Sequence, residues 1–243
     1  MELRILATGS HGNGYLLVHG DDMLLIDPGV DMQTIYRAVD YKLTALQGCL
    51  TGHFHNDHSK SAVQLAKQYV DMYMSKETAQ ALKLDVGYPN VTQICCGTDS
   101  AGSWLFSSFP VEHDAPGSLG FYIKHLDAPE CILYLTDTGF CQFNPIKVTT
   151  ALIECNYIDD ILVANGIEEE RKIRLSKYHM SLERVLSYLK KIDTSCLRDI
   201  ILIHLSDANS DSTRIYNEIK RQTGCNVYIA EAGLNINLDA VPF

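Results

Sequence analysis

The eight residues Thr51-Gly52-His53-Phe54-His55-Asn56-Asp57-His58 constrain this chain more than any other stretch. Three imidazoles and a carboxylate fall within six positions, and these groups are the usual ligands of catalytic zinc. Alternate residues of an extended segment project to one side, so His53 and His55 point together. Asp57 and His58 are neighbours and must diverge, which suits a second, adjacent ion. One loop of this kind supplies most of a two-metal site. The competing reading is a polar surface loop that happens to hold three of the chain's nine histidines.

The rest of the sequence is that of an ordinary globular protein, 46% hydrophobic and 21% charged over 243 residues. No low-complexity tract or Pro-rich linker interrupts it, and a single domain over 1–243 is expected. The formal charge of −10 speaks against a whole-molecule pull on nucleic acid. The charge is uneven, however. Between 171 and 198 stand Arg171, Lys172, Arg174, Lys177, Arg184, Lys190, Lys191 and Arg198 against Glu183 and Asp193, a net +6. Such a run is commonly a solvated helix face; its functional reading is a phosphate-facing patch. The eight cysteines include no CxxC pair, so a thiolate zinc site is unsupported. MELRILATGS lacks the pattern of a signal peptide, and no stretch reaches the ~20 apolar residues that span a bilayer. A cytoplasmic protein with reduced thiols, no membrane association and no obligate protein partner is the expectation.

Short apolar runs at Leu3–Leu6, Tyr15–His19 and Met23–Ile26 predict strands joined by tight turns. Asp31–Asp40 reads as a helix. Gly48–Thr51 reads as a strand delivering the His-rich loop, followed by a helix over Ser59–Tyr69. Further strands are expected at Trp104–Phe109, Phe121–His125, Cys131–Leu135, Ala151–Glu154, Ile200–Leu205, Val227–Ala230 and Asn235–Leu238. Helices are expected at Ser181–Ile192 and at Asp211–Gln222, the latter stopped by Gly224. This order predicts an α/β fold of two sheets with helices outside.

Three more candidate ligands close apolar runs: His113 after Trp104–Phe109, Asp137 after Cys131–Leu135, and His204 near the end of Ile200–Leu205. Each alone reads as a hydrogen-bonded histidine or a turn aspartate. Their order and number raise them. Together with Asp27 in Leu-Leu-Ile-Asp-Pro-Gly and the 53–58 loop, the sequence resembles the metallo-β-lactamase superfamily of zinc hydrolases, whose five motifs it matches in order over residues 27–204.

The resemblance implies a four-layer αβ/βα sandwich with two mixed β-sheets. It also implies two divalent ions, Zn²⁺ or Mn²⁺, with Fe²⁺ compatible with the same nitrogen and oxygen ligands. His53, His55 and His113 would hold the first ion, and Asp57, His58 and His204 the second, with Asp137 bridging. Asp27 would orient a ligand from behind, and Asp57 would also orient the attacking water. Two ions and a bridging carboxylate suit phosphodiester cleavage by a metal-activated hydroxide.

Glu154 in Glu-Cys-Asn-Tyr and His179 in Tyr-His-Met-Ser resemble the pair that serves the nuclease branch, where the His meets the scissile phosphate and protonates the leaving oxygen. Gly-Ser-x-Gly-Asn-x-Tyr-Leu-Leu at 9–17, Pro-Val-x-His-Asp-Ala at 110–115 and His-Leu-Ser-x-x-Asn at 204–209 are similar to the bacterial WalJ/YycJ-type group, proposed as DNA exonucleases. His11 and Tyr178 depart from that group, which carries Ser and Gly there. The implied activity is 5′-directed exonuclease action on nucleic acid, DNA in preference to RNA. Ser181, Asn156, Lys172, Arg174 and Lys177 are the further candidates for substrate contact. Hydrolysis of small or cyclic nucleotides or of RNA is the alternative, and a non-catalytic scaffold the lesser one.

Overall fold

Two runs of parallel strands carry most of the residues singled out above, and they lie in different parts of the chain. The computed structural model describes residues 1–239. They group into two units, the first made of 1–110, 115–130 and 231 onward, the second of 111–114 and 131–230.

The first unit begins with β1 (Glu2–Ala7), β2 (Gly14–His19), β3 (Asp22–Ile26), α1 (Met32–Ala38) and β4 (Leu46–Leu50). It continues through α2 (Asn56–Ser59), α3 (Ala62–Lys67), β5 (Met72–Met74), α4 (Lys76–Ala81) and β6 (Val91–Gln93). Then come β7 (Gly97–Ala101), β8 (Trp104–Pro110) and β9 (Leu119–His125). The second unit runs β10 (Cys131–Leu135), β11 (Thr150–Glu154), α5 (Asp159–Ala164), α6 (Glu169–Tyr178), α7 (Leu182–Lys191), β12 (Asp199–Ile203), α8 (Ser212–Thr223) and β13 (Asn226–Ile229). The chain returns to the first unit with β14 (Asn235–Asn237).

The first sheet has the order β14-β1-β2-β3-β4-β5-β6, antiparallel up to β3 and parallel from β3 to β6. The seven strands β7 to β13 make the second sheet. Its β9-β8-β7 members are antiparallel and belong to the first unit; its β13-β12-β11-β10 members are parallel and belong to the second. Two mixed sheets with flanking helices are the α/β class expected from the sequence.

β2, β10, β11 and β12 are buried along nearly their whole length. Their continuous apolar sequences reflect this, since strands covered on both faces lose the polar alternation. In the first unit, helix faces carrying Ile35, Ala62, Leu65, Ala66 and Ala79 join Leu16, Leu25, Cys49 and Met72 in one apolar core. Among the described residues no helix is long and apolar enough to cross a membrane, and none of the eight cysteines is joined in a disulfide.

One expectation needs correction. The helix read over Ser59–Tyr69 is broken into α2 and α3. Ser61 donates its backbone N–H to Pro28 O at 2.9 Å and its hydroxyl to Val30 O at 2.6 Å, and this diversion interrupts the helical ladder. The basic segment contains a helix that spacing does not reveal, α6, which buries no residue. A helix that is polar all round leaves no periodic trace. Strands β6 and β7 were likewise illegible, because their residues are almost all exposed or half-buried.

Candidate functional site

Parallel pairing aligns strand ends, and residues just past the carboxyl ends of neighbouring parallel strands meet. In the first unit, Ile26 of β3 pairs with Leu50 of β4. Asp27 therefore stands beside the start of the 51–58 loop. Its carboxylate, fully buried, accepts from the Gly52 N–H at 2.7 Å and from His58 Nδ1 at 2.7 Å. A carboxylate on Nδ1 fixes the tautomer and leaves Nε2 as the ligating nitrogen. That Nε2 lies 3.5 Å from Asp57 Oδ2, while His53 Nε2 lies 3.0 Å from His55 Nδ1. Asn13, fully buried, places its side-chain amide 3.0 Å from His58 Nε2 and 3.3 Å from the Asp57 carbonyl.

The loop is also held by its backbone. A Cβ on Gly29 would stand 1.8 Å from the Asp57 carbonyl oxygen and 2.7 Å from that of Asn13. Gly29→Ala is expected to force these segments apart and destabilise the protein by about 1–3 kcal/mol, the usual cost of overpacking. A urea unfolding midpoint equal to that of the wild type would contradict this close fit.

In the second unit the same logic operates on β10, β11 and β12. Leu135 pairs with Ile153, and Glu154 with Ile203. Asp137, Glu154 and His204 consequently emerge at one sheet edge. Ligating atoms of Asp137, Glu154, His179 and His204 all lie within 4.8 Å of one another. His113 Nε2 lies 3.6 Å from Asp137 Oδ2, and His204 Nε2 lies 3.5 Å from Asp137 Oδ1. Each carboxylate oxygen thus faces one imidazole.

Asp27, Asp137 and His204 share a backbone feature, with φ of 51°, 45° and 55°. Each follows a strand by one or two residues. A left-handed residue there breaks the strand alternation and turns the side chain toward the sheet edge. Aspartate adopts this conformation more readily than most residues, whereas strain of this kind elsewhere tends to mark functional positions.

Glu154 is fully buried and gathers four donors. His179 Nδ1 approaches its Oε1 at 2.6 Å and His204 Nδ1 at 3.3 Å. The N–H groups of Thr138 and Met180 reach Oε2 at 3.2 and 3.3 Å. Burial alone would push this carboxyl up. The charge of His179 and the hydrogen bonds from His179 and His204 outweigh burial and hold it below the usual carboxylate range. Burial likewise works against the His179 cation, but the charge and hydrogen bond of Glu154 raise its pKa above the ordinary histidine value. The imidazolium form of His179 is thereby favoured.

Other predicted residues take structural positions within the second unit. Ser181 caps α7, its hydroxyl accepting from the Arg184 N–H at 3.4 Å. The Asn156 amide reaches Nδ1 and the carbonyl oxygen of His204 at 3.1 and 3.0 Å. Arg174 grips Asp114 through Nη2 at 2.7 Å, and Asp114 in turn lies 3.1 Å from His113 Nε2. Lys172 stands 3.9 Å from Glu169, and the Lys177 ammonium lies 4.8 Å from the centre of the Tyr178 ring. Sequence reasoning gave no role to Asn13, Gly29 or Thr138. Only the first left a signal, as an Asn between two glycines in the turn after β1.

Two mixed seven-stranded sheets with histidines and aspartates at the carboxyl ends of parallel strands define the metallo-β-lactamase fold. No family model matches the chain. The chain is 27% identical to the exodeoxyribonuclease WalJ of Streptococcus pneumoniae over 252 residues, covering 97% of this chain and 90% of that protein. It is similar in structure to YhfI of Bacillus subtilis, a metallo-β-lactamase fold protein, with a TM-score of 0.73 at 16% identity over 97% of this chain and 99% of that one. The short form of human tRNase Z is also similar, with a TM-score of 0.63 at 14% identity over 99% of this chain and 100% of that one.

Proposed function

We propose that this chain is a metal-dependent phosphodiesterase whose activity is exonucleolytic cleavage of DNA from the 5′ end. The observation that carries this reading is the His179–Glu154 pair. A buried carboxylate holds the His179 imidazole by Nδ1 at 2.6 Å and leaves Nε2 free of that contact, at the edge of a cluster of metal-ligating groups. Such a group donates a proton to a departing oxygen, which cleavage of an alkyl phosphodiester needs. The likeness to an exodeoxyribonuclease along nearly the whole chain supports the nucleic-acid reading.

In this proposal His53, His55 and His113 would hold one ion and Asp57, His58 and His204 the other, with Asp137 available to both. The donor set fits. Two ligands each about 2.1 Å from one tetrahedral ion stand about 3.4 Å apart. The separations within His53–His55, Asp57–His58, His113–Asp137 and Asp137–His204 run from 3.0 to 3.6 Å. Bound divalent ions supply an acidified water and neutralise the charge that builds on the phosphoryl oxygens. Asp27 would orient His58 through Nδ1, Asn13 would brace the Asp57 carbonyl, Asp57 would orient the attacking water, and Asn156 would steady His204. His179 gives its proton to the leaving oxygen, while Glu154 holds the imidazole in place. Ser181 starts the helix after His179, and Lys172, Arg174 and Lys177 set positive charge along the approach of the phosphate backbone.

The test is hydrolysis of 5′-labelled DNA, the matching RNA and bis-p-nitrophenyl phosphate by protein reconstituted with Zn²⁺ or Mn²⁺. Release of 5′-terminal mononucleotides from DNA, abolished by EDTA and restored by metal, is the expected result. Faster turnover of RNA redirects the substrate. Turnover of the small ester alone leaves a small-phosphodiester hydrolase, and no turnover with two ions bound leaves a scaffold. Mass spectrometry of the native protein is expected to count two ions per chain.

A further inference from the structure

A cavity of about 340 Å³ opens in the second unit beside the loop that carries His179. Its size falls within the range of small-molecule sites, about 300–1,000 Å³. Phe140 and Cys141 line one wall, and α6 and α7 line the other with Lys177, Arg184, Tyr188 and Lys191. Three cations thus face a single acid, Glu112. Phe140 is 48% exposed although its neighbours in the wall are buried. The Lys191 ammonium lies 5.4 Å from the centre of its ring.

The walls are pinned. A Cβ on Gly139 would stand 1.9 Å from the Lys177 carbonyl oxygen, so the 139–141 segment packs directly on the end of α6. Arg184 Nη1 donates to the Gly139 carbonyl at 3.1 Å and also to that of Ser176. Tyr188 donates its hydroxyl to the Phe143 carbonyl at 2.9 Å. Arg184 is therefore spent on the architecture, while Lys177 and Lys191 keep their ammonium groups at the surface. The site also has an address. Gly139 comes two residues after Asp137, and Met180, which follows His179 and donates to Glu154 at 3.3 Å, lines the same cavity.

An exposed aromatic face next to ammonium groups matches one ligand chemistry closely, a flat base carrying a phosphate. Bases stack on aromatic side chains irrespective of sequence, and lysines meet the phosphate. We infer that this cavity is a nucleotide subsite, holding the nucleotide adjacent to the one whose phosphate reaches His179. Phe140 stacks on the base, and Lys191 and Lys177 meet the phosphate. This assignment rests on the phosphodiesterase reading above and deepens it by naming where a polymeric substrate is gripped.

The experiment measures fluorescence anisotropy of a labelled single-stranded phosphorothioate hexanucleotide, which resists hydrolysis, on the metal-loaded protein. Phe140→Ala and Lys191→Ala are each expected to raise Kd on the order of tenfold, in line with the loss of one stacked base or one phosphate contact. Phe140→Leu, which keeps the bulk and loses the aromatic face, should weaken binding as well, and circular dichroism melting confirms that each variant is folded. Deoxyadenosine monophosphate should displace the probe at concentrations where inorganic phosphate does not. Wild-type affinity in all three variants overturns the assignment, as does equal competition by phosphate alone or failure of the wild type to bind the probe. A wild type that binds the probe but leaves ordinary DNA intact sinks the nuclease reading and spares the subsite. Cleavage of DNA with unaltered variant affinities does the reverse.

Discussion

Asp137→Asn is expected to lower the rate of phosphodiester hydrolysis by more than about 100-fold, beyond the loss that outer partners of a metal ligand produce. The substitution keeps the shape of the side chain and tolerates the left-handed backbone at φ 45°. It removes the charge that His113 and His204 face from either oxygen, at 3.6 and 3.5 Å. Bound metal should fall below two ions per chain by mass spectrometry while the far-ultraviolet circular dichroism stays that of the wild type. Two retained ions with full activity would take Asp137 out of the site.

The second large effect concerns His179. His179→Ala should slow DNA cleavage by about 10²- to 10⁴-fold, the range expected for losing a positioned general acid. Metal content should not change, since His179 is not among the proposed ligands. The leaving group provides the sharper readout. A deoxyribose oxygen needs a proton as it departs, whereas p-nitrophenolate leaves without one. The variant should therefore lose far less activity on bis-p-nitrophenyl phosphate than on DNA. Equal losses on both substrates would make His179 a positioning residue and not the proton donor. Glu154→Gln should follow the same pattern more weakly, because it removes the charge that sustains the imidazolium and leaves the imidazole in place.

How much of this was legible beforehand depended on the range of the interaction involved. The 53–58 loop is a local signal, readable from residue types at fixed offsets. His113, Asp137 and His204 were readable because a charged or imidazole side chain closing an apolar strand stands out against its neighbours, whereas Asp27 and Glu154 followed from the family resemblance. The helix α6 was not readable, since nothing on it is buried and no apolar period marks it. Nor was the fate of Arg174, counted in the sequence as a cation for the substrate. It is paired with Asp114, sixty positions earlier, a contact that composition does not show. Asn13 shows the same limit, because its partner His58 lies forty-five residues away.

The sequence by itself determined the chemistry on offer: which donor groups exist, that apolar runs deliver them, and an α/β class with two mixed sheets. Tertiary structure decided which of those groups meet. Parallel register at Ile26–Leu50 in the first unit, and at Leu135–Ile153 in the second, brings distant strand ends together within each unit, and left-handed residues at Asp27, Asp137 and His204 follow those ends. Hydrogen bonds and ion pairs between residues far apart in the chain depend on that register. A one-residue slip would reverse every side chain on a strand while leaving composition and local pattern untouched.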